Sequence, residues 1–533
     1  MEFADWIASV ARRMPDKTAL RFDGADLSYS ALARRIDEIA AALAAAGLNR
    51  GDCVAWLGLN SPSMLASLFA CARLRLIFMP LNWRLTPAEH RAVLQDCAPA
   101  LLCVEAGFAR ATAAQGIAGM QTRCILLGSD PGHATDKVTG GADTAMASGW
   151  TPWDSFIESG RETQPRRAAI GAHAPLLLCW TSGSTGRPKG VLLTQDALAA
   201  NADTSVDMHA LSAHDRVLTT LPMFHVGGLN ILTTPALRAG CTVTLHAKFD
   251  ADATFDAIER DRITLTVLVP AQLEALIAHP RWASADLSSL RTISTGSTFV
   301  PKRLIDAVHA RGVPLIQVWG ATETAPIAAC LHADEARAKA GSTGRAAAGC
   351  ELRIVDAAGR DVAPGASGEI LVRGRNVMSG YWREPRMSAE ALQGGWFHSG
   401  DSGHFDAEGF LTIDGRLKDM IISGGENVSP AEVEAALLAC ADIAEAAVVG
   451  RPDARWGEAV VAVVAPKPGA TLTRERVLAI IDARLARFKQ PKDVLIVDAL
   501  PRTALGKVRK EEVRQLVAAQ LAAAAAIAEE HSA

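Results

Sequence analysis

The chain has 533 residues, of which 49% are hydrophobic and 21% are charged. This length exceeds that of a usual single domain, so we expect more than one domain and a large buried core. The formal net charge is −4, and no long block of lysine and arginine occurs. These values exclude the basic surface that nucleic-acid binding requires, and we predict no nucleic-acid partner.

The cysteines and the apolar stretches indicate a cytoplasmic protein without a membrane span. Ten cysteines are scattered through the chain without a C-x-x-C motif, which favours reduced thiols over a disulfide framework or a zinc site. The N-terminal residues are acidic where a signal peptide would be basic. The apolar stretch 64–79 is interrupted by Arg73 and Arg75, so it predicts a core helix and a strand. The tail 516–533 predicts a helix that frays, with a partner or membrane helix as the alternative.

The first predicted elements alternate between helix and strand. Apolar residues recur at helical spacing between residues 30 and 46, and Gly47 follows as a residue that can end the helix. Residues 53–58 are predicted as a strand. Ser61 and Pro62 then provide the cap and the first position of another helix.

The same alternation continues to about residue 318 and predicts parallel sheets covered by helices. The supporting strands are at 175–180, 217–222, 242–245, 264–269, 291–295 and 314–318, and the helices are at 195–200, 271–278 and 302–309. The segment 128–162 is rich in Gly, Ser, Asp and Thr, which predicts a long surface connection.

The pattern changes near residue 350. Short alternating strands at 351–356 and 369–373 predict a small antiparallel β unit, and an α+β stretch follows Arg416. We therefore predict an N-terminal domain of residues 1–416 and a C-terminal domain of residues 417–533. The predicted fold class is α/β, with a large N-terminal domain of parallel sheets, helices and the small β unit, and an α+β C-terminal domain.

Residues 181–190, with the sequence TSGSTGRPKG, are typical of a phosphate-binding loop, and we call them the phosphate loop. Glycines let the backbone approach phosphate, N–H groups and hydroxyls donate to its oxygens, and a lysine adds positive charge. A Walker A motif is excluded, because Gly183 would require a second glycine where Pro188 stands. The alternative interpretation of such a segment is a flexible surface loop.

Four further strings follow the phosphate loop: WGATET at 319–324, SGD at 399–401, FLTIDGR at 410–416 and PRTALGK at 501–507. Together with the loop, they resemble the adenylate-forming superfamily of acyl-CoA synthetases, carrier-loading adenylation domains and luciferases. The sequence looks most similar to bacterial fatty-acyl-CoA synthetases. The resemblance extends over most of the chain and implies ATP and Mg²⁺ as cofactors, CoA as co-substrate, and a mobile C-terminal domain.

The resemblance also implies the residues that carry adenylation. Lys507 would stabilise charge on the α-phosphate and the incoming carboxylate, Thr322 would bind the phosphate near the reacting atom, and Glu323 would hold Mg²⁺. The residues implied in ATP binding are Thr181, Ser182, Gly183, Ser184, Thr185, Gly186, Lys189, Gly296, Ser297, Thr298, Trp319, Gly320, Ala321, Asp401, Ile413 and Arg416. Among these, the resemblance implies that residues 296–298 lie beside adenine and that Asp401 and Arg416 bind the ribose. As alternatives, Asp401 and Arg416 could form a structural salt bridge, and Glu323 and Lys507 could be solvated surface charges.

For the second step, the resemblance implies that the C-terminal domain rotates about Lys418 as a hinge. The residues implied in contacting CoA are then Ser423, Gly424 and Gly425. Three places depart from the family pattern. Trp319 stands where tyrosine is usual, residues 295–298 read TGST where TGGA or SGA is common, and Ser399 stands where threonine is usual. These departures alter the adenine and acyl pockets and leave the phosphate chemistry intact.

The acid-binding segment is residues 222–228, PMFHVGG, which resemble the lining of the family's acyl pocket. His225 would lie beside the carboxylate, or could be a packing histidine, and Gly227 and Gly228 would leave volume for an elongated or bulky apolar acid. We predict an ATP-dependent acid–CoA ligase for medium- to long-chain fatty acids, with aromatic or alicyclic carboxylates as the second choice. Two alternatives stay open: an adenylation enzyme that loads a carrier protein in trans, and a nonenzymatic nucleotide-binding protein. The oligomeric state is open, with a homodimer as one alternative.

Overall fold

The computed structural model of the protein describes residues 2–113, 120, 122–128, 149–164, 171, 173–181, 188–297, 300–423, 426–453, 456–482, 485, 489–503 and 506–530. The chain divides into two compact units. The first unit is Met1–Ser297, Ala307–Leu352 and Val372–His398, and the second is Thr298–Asp306, Arg353–Leu371 and Ser399–Ala533. A domain boundary between residues 416 and 417 stays a prediction.

The helices and strands have the following bounds. The strands are β1 (Thr18–Phe22), β2 (Ala25–Ser28), β3 (Cys53–Leu57), β4 (Ile77–Pro80), β5 (Leu101–Glu105), β6 (Arg123–Leu127), β7 (Thr151–Pro152), β8 (Pro175–Thr181), β9 (Lys189–Thr194), β10 (Arg216–Thr219), β11 (Thr242–Leu245), β12 (Leu265–Val267), β13 (Thr292–Gly296), β14 (Leu315–Trp319), β15 (Ala329–Cys330), β16 (Arg345–Ala346), β17 (Cys350–Val355), β18 (Gly368–Gly374), β19 (Gly380–Tyr381), β20 (Phe397–Phe405), β21 (Leu411–Arg416), β22 (Ile421–Ser423), β23 (Glu426–Val428), β24 (Ile443–Asp453), β25 (Gly457–Pro466) and β26 (Asp493–Ile496). The α-helices are α1 (Trp6–Arg13), α2 (Tyr29–Ala45), α3 (Pro62–Leu74), α4 (Pro87–Cys97), α5 (Ala106–Ala111), α6 (Trp153–Glu158), α7 (Gln195–Met208), α8 (Val226–Gly228), α9 (Thr234–Ala239), α10 (Ala251–Asp261), α11 (Pro270–Ala278), α12 (Lys302–Ala310), α13 (Pro385–Ala391), α14 (Pro430–Leu438), α15 (Arg474–Asp482) and α16 (Lys510–Glu530).

Two large sheets lie in the first unit. The nine-stranded sheet has the order β16-β15-β14-β13-β12-β10-β11-β1-β2, and the eight-stranded sheet has the order β19-β9-β8-β4-β3-β5-β6-β7. In the first sheet, β10, β12, β13 and β14 are parallel neighbours. In the second, β4, β3, β5, β6 and β7 are parallel, whereas β8, β9 and β19 pair antiparallel at one end. The mostly parallel sheets confirm the predicted fold class.

Local sequence signals explain where helices α2 and α3 begin. The side chain of Ser28 accepts from Ala31 N–H at the start of α2, and that of Ser61 accepts from Met64 N–H at the start of α3. The predicted helices at 30–46 and after Ser61 are thereby confirmed. The predicted core helix and strand at 64–79 are also confirmed, since α3 and β4 are buried along nearly their whole length.

The predicted surface connection at 128–162 is wrong in part. Strand β7 and helix α6 lie within it, and the Phe156 side chain of α6 is only 3% exposed. Trp153 contacts Trp56 of β3 edge to face, with 6.0 Å between ring centroids. Two aromatic contacts, Trp56 with Trp153 and Trp153 with Phe156, hold this short helix against the core although the average composition of the segment is polar. Residues 129–148 of the same stretch lie outside the described residues.

The second unit contains a five-stranded sheet in which β24 and β25 form the longest pair. Side chains alternate between the two faces of these strands and contribute to two hydrophobic clusters. One cluster packs against α14 and α15, and the other includes Val513 and Val517 of α16. A separate four-stranded sheet of order β17-β18-β20-β21 confirms the strands predicted after residue 350.

None of the helices in the described part of the chain combines the length and the apolar character that crossing a bilayer requires.

Candidate active site

The carboxyl edge of the nine-stranded sheet gathers three of the predicted site segments. Because β10, β13 and β14 run in the same direction, their carboxyl ends meet at one edge, which is where open α/β sheets bind ligands. Residues 220–228 follow β10, Ser297 follows Gly296 at the end of β13, and residues 320–324 follow Trp319 at the end of β14. The structure thus places the predicted adenine, metal and acid segments at one edge of one sheet.

The turn after β14 is fixed by close backbone contacts. Gly320 has φ +157°, and a side-chain Cβ at this position would lie 1.8 Å from the carbonyl oxygen of Pro326, so only glycine fits. The hydroxyl of Thr324 accepts from Ala321 N–H at 2.9 Å. The buried amide of Asn376 donates to the carbonyl of Thr324 at 2.9 Å. These contacts hold the 3-10 turn Thr322–Thr324 in place.

Glu323, the predicted metal ligand, accepts hydrogen bonds at both its backbone and its side chain. Its carbonyl oxygen accepts from Met378 N–H at 2.7 Å, and its Oε1 accepts from the Tyr381 hydroxyl at 2.8 Å. The Glu323 side chain is therefore directed by a neighbouring strand, which differs from a freely solvated carboxylate. Thr322 beside it is 7% exposed.

The two ends of the phosphate loop are joined as an antiparallel pair. Thr181 at the end of β8 lies opposite Lys189 at the start of β9, and the Thr181 hydroxyl donates to the Lys189 carbonyl at 3.4 Å. The Lys189 ammonium lies 5.3 Å from the centroid of the Tyr381 ring. The predicted loop residues Ser182, Gly183, Ser184, Thr185 and Gly186 lie outside the described residues.

The predicted adenine segment follows β13. Gly296 is buried and lies opposite Val318 of β14, so it is next to the strand that ends at Trp319. Trp319 itself is 8% exposed. Ser297 has φ +74°, a left-handed conformation that is unusual for a residue other than glycine. Thr298, predicted in the same segment, lies outside the described residues.

The predicted acid segment contains a short helix, α8, capped by His225. The Nδ1 atom of His225 accepts from Gly227 N–H at 3.1 Å, so the proton of the neutral ring lies on Nε2. The two glycines differ in their surroundings. The nearest neighbours of a Cβ on Gly227 would be the His225 ring, at 3.3 Å or more, and the side chain of Ile231, whereas a Cβ on Gly228 would lie 2.4 Å from the carbonyl oxygen of Pro222. Gly228 is therefore required for close backbone packing, which the sequence interpretation as pocket volume did not anticipate.

Phe224, the residue that precedes His225, contacts an aromatic ring and a guanidinium group. Phe224 is 7% exposed, and the ring of Trp83 contacts it edge to face with centroids 6.5 Å apart. Trp83 also contacts Phe108, with centroids 6.4 Å apart. The guanidinium of Arg84 lies 4.8 Å from the Trp83 ring and 5.9 Å from the Phe224 ring. We call Trp83, Arg84, Phe108 and Phe224 the aromatic cluster.

In the second unit, Asp401 and Arg416 lie directly opposite each other on β20 and β21. Arg416 Nε is 2.7 Å from Asp401 Oδ1, and the Asp401 side chain is 11% exposed against 52% for Arg416. The backbone N–H of Asp401 donates to the Ser399 hydroxyl at 3.0 Å. Ile413 lies on β21 opposite Gly403. The structure brings the predicted ribose pair together, and its binding of ribose stays a prediction.

The remaining predicted residues of the second unit lie in turns and at strand ends. Lys418 is exposed in the 3-10 turn Leu417–Asp419, and Ser423 is buried at the end of β22. Lys507 is exposed in a tight turn in which its N–H donates to the Thr503 hydroxyl at 3.1 Å, and its carbonyl accepts from Thr503 N–H at 2.7 Å. Gly424 and Gly425 lie outside the described residues. The hinge, CoA and adenylation roles of these residues stay predictions.

The residues at the edge of the first sheet suit a magnesium nucleotide. Mg²⁺ is commonly held by one or two carboxylates together with substrate phosphates and water, so a single directed carboxylate such as Glu323 fits this ion. No group of three or more His, Cys, Asp or Glu residues that could hold a metal by itself occurs among the described residues. The Glu323 site therefore fits a metal that arrives with its nucleotide.

Sequence reasoning missed Tyr381, whose ring contacts Lys189 and whose hydroxyl contacts Glu323. It is one of only two tyrosines in the chain, and it lies in β19, a strand of two residues. The rarity of tyrosine in the chain was the only sequence signal that could have pointed to this residue.

Comparison with known proteins agrees with these observations. The chain matches the family described as AMP-binding enzyme over residues 7–382, and the AMP-binding enzyme C-terminal domain over residues 432–507. It is 57% identical over 518 residues to an indoleacetate–CoA ligase of Aromatoleum aromaticum, covering 97% of this chain and 98% of that protein. It is 40% identical over 510 residues to a feruloyl-CoA synthase of Amycolatopsis sp, covering 96% and 98%.

The solved structures include a similar fold with a bound adenylate. An anthranilate CoA ligase in complex with anthranoyl-AMP has a TM-score of 0.86 to this chain at 27% identity, with 98% of each chain covered. The phosphate loop, the directed Glu323 and the Asp401–Arg416 pair thus lie in a chain that matches these ligases along nearly its whole length. The chain belongs to the AMP-binding enzyme family, and it is an AMP-forming acyl- or aryl-CoA ligase of the adenylate-forming superfamily, for which ATP, Mg²⁺ and CoA are the expected cofactors and co-substrates.

Proposed function

We propose that the protein joins an aromatic carboxylic acid to CoA, with indoleacetate as the first acid to test. The observation that carries this proposal is the 57% identity to an indoleacetate–CoA ligase over 97% of the chain. The relatives named above favour this second choice of the sequence analysis over medium- to long-chain fatty acids.

The aromatic cluster supports an aromatic acid. Its members are joined to the acid segment through Phe224, which directly precedes His225. Ring edges attract the faces of other rings, so a cluster that already holds edge-to-face and tilted contacts suits a flat aromatic acid better than a flexible alkyl chain. An alkyl chain would also lose more rotational freedom on binding.

The proposed reaction has two steps. In the first, a carboxylate oxygen of the acid attacks the α-phosphorus of ATP, the bond to the bridging oxygen breaks, and pyrophosphate leaves. Lys189 and the phosphate loop bind the outer phosphates, and Lys507 stabilises the charge that develops at the α-phosphate. When bound at Glu323, Mg²⁺ neutralises phosphate charge.

In the second step, the CoA sulfur attacks the acyl carbon, the bond to the phosphate oxygen breaks, and AMP leaves while the thiol proton passes to solvent. Asp401 and Arg416 bind the ribose of the nucleotide through both steps, since a carboxylate can accept from both ribose hydroxyls. We propose Lys418 as the hinge and Ser423 to Gly425 as the CoA contact for this step, and residues 417–533 as the domain that moves.

The test is a comparison of kcat/KM for indoleacetate and for dodecanoate, with pyrophosphate release and thioester formation measured separately. We expect indoleacetate to be preferred by at least about tenfold, the size of effect that a shaped apolar pocket gives. A preference for dodecanoate would overturn the aromatic assignment. Pyrophosphate release without any thioester would instead favour the alternative that a carrier protein accepts the acyl group.

A further inference from the structure

Strand β19 connects two predicted functional segments of the first unit. On one side it pairs with β9, so Tyr381 lies opposite Val191, and Trp382 N–H donates to the Gly190 carbonyl at 2.7 Å. On the other side, the residues just before and within β19 bond to Glu323, through Met378 N–H and the Tyr381 hydroxyl. The strand thus joins an edge of the eight-stranded sheet to the turn after β14 of the nine-stranded sheet.

Tyr381 makes both connections with one side chain. Its hydroxyl donates to Glu323 Oε1 at 2.8 Å, while the Lys189 ammonium lies 5.3 Å from its ring centroid. The hydroxyl occupies one carboxylate oxygen and fixes the carboxylate orientation, which leaves the other oxygen to bind a cation. The ring attracts the ammonium and restricts where a long, flexible lysine side chain lies.

We propose that Tyr381 is a positioning residue that orients the Glu323 carboxylate toward Mg²⁺ and the Lys189 ammonium toward the nucleotide phosphates. This inference rests on the proposed function, because it takes Glu323 as the metal ligand and Lys189 as a phosphate ligand. Groups that hydrogen-bond to a metal ligand commonly change metal affinity by about 10- to 100-fold when they are removed. The two contacts lead to separate predictions. Loss of the hydroxyl should weaken the binding of Mg²⁺ through Glu323, and loss of the ring should weaken the binding of phosphate by Lys189.

The test measures nucleotide binding without turnover. Isothermal titration calorimetry gives the Kd of α,β-methylene-ATP, which cannot release pyrophosphate, with Mg²⁺ and with EDTA. Tyr381→Phe keeps the ring and removes the hydroxyl. The Mg²⁺ enhancement is the ratio of the Kd in EDTA to the Kd in Mg²⁺. We expect Tyr381→Phe to lower this ratio by about tenfold or more and to leave the Kd in EDTA unchanged. Tyr381→Leu removes both contacts, and we expect it also to weaken binding in EDTA.

The chain offers a matched control in its only other tyrosine, Tyr29. The Tyr29 hydroxyl is buried and lies 3.1 Å and 2.7 Å from the carbonyl oxygens of Leu237 and Cys241. Tyr29→Phe therefore removes a tyrosine hydrogen bond of the same unit without touching the proposed site. We expect it to lower thermal stability and to leave the Mg²⁺ enhancement unchanged, which separates positioning from general destabilisation.

Glu323→Gln separates this inference from the proposed function. If Glu323→Gln abolishes the Mg²⁺ enhancement and Tyr381→Phe retains it within about twofold, the positioning role is overturned and the metal role of Glu323 stands. If Glu323→Gln itself retains the enhancement, both the metal assignment and the inference are overturned. Equal losses in Tyr381→Phe and Tyr29→Phe would also overturn the inference, since they would indicate a structural effect.

Discussion

Substitution of Gly228 by alanine tests how the acid segment is held. The added Cβ would lie 2.4 Å from the carbonyl oxygen of Pro222 and 2.8 Å from that of Leu221. The backbone would have to move by about 1 Å to reach an ordinary contact of 3.4 Å, and both obstacles are main-chain atoms that cannot rotate away. Thr233 adds to the cost, because its hydroxyl donates to the Gly228 carbonyl at 2.6 Å. Overpacking of this kind costs about 1–3 kcal/mol of unfolding free energy.

Gly227→Ala is the matched control at the neighbouring position. The nearest atoms to its Cβ would be side-chain atoms, first the His225 ring at 3.3 Å, and its N–H would still donate to His225 Nδ1. Alanine is favoured over glycine in a helix by about 0.5–1 kcal/mol, so we expect unchanged or slightly higher stability.

The assay is urea unfolding monitored by tryptophan fluorescence. The midpoints are compared provided that the dependence of the unfolding free energy on urea concentration is the same in all proteins. We expect the Gly228→Ala midpoint to be clearly lower than that of the unchanged protein, and the Gly227→Ala midpoint to match it. Equal midpoints for the two variants, whether both lowered or both unchanged, would refute the reasoning, because only one of the two positions faces a main-chain obstacle.

Two further predictions concern catalysis and pH. Lys507→Ala should slow acyl-adenylate formation by about 10²–10³-fold while largely sparing thioester formation from a supplied acyl-adenylate, and equal loss in both half-reactions would contradict its role. Burial lowers the pKa of His209 to about 4, with Nε2 2.7 Å from the Ser294 hydroxyl. The histidine of the unfolded chain binds its proton near pH 6.5, so the buried neutral ring costs no stability above that pH. As the pH falls from 6.5 toward 4, this group lowers the free energy of unfolding by up to about 1.4 kcal/mol per pH unit. His209→Gln should therefore lose less stability between pH 7 and pH 5 in urea titrations, and parallel losses in the two proteins would contradict this cause.

The elements that the sequence predicts best are those with local signals. Helix α2 has apolar residues at helical spacing followed by Gly47, and α3 has a capping serine followed by Pro62. Such signals depend on neighbouring residues only, so they can be read without knowledge of the tertiary fold. Asp401 and Arg416 were also predicted as a pair, because their strings resemble those of a known family, and the structure places them side by side.

The contacts that the sequence did not predict depend on distant parts of the chain. Tyr381 and Glu323 are 58 residues apart, and they meet only because β19 pairs with β9 next to the turn after β14. Helix α6 was missed because its burial comes from Trp153 and Phe156 packing within a polar stretch. The requirement for glycine at position 228 likewise arises from the carbonyl of a neighbouring turn, which periodicity does not reveal.

The most direct test of the central claim is a competition experiment read by mass spectrometry. The protein is incubated with ATP, Mg²⁺, CoA and an equimolar mixture of indoleacetate, ferulate, anthranilate, cyclohexanecarboxylate and fatty acids of medium and long chain. We predict that aromatic acyl-CoA thioesters dominate the products, and that they disappear when ATP is omitted. Fatty acyl-CoA as the dominant product, or no thioester from any aromatic acid, would contradict the claim.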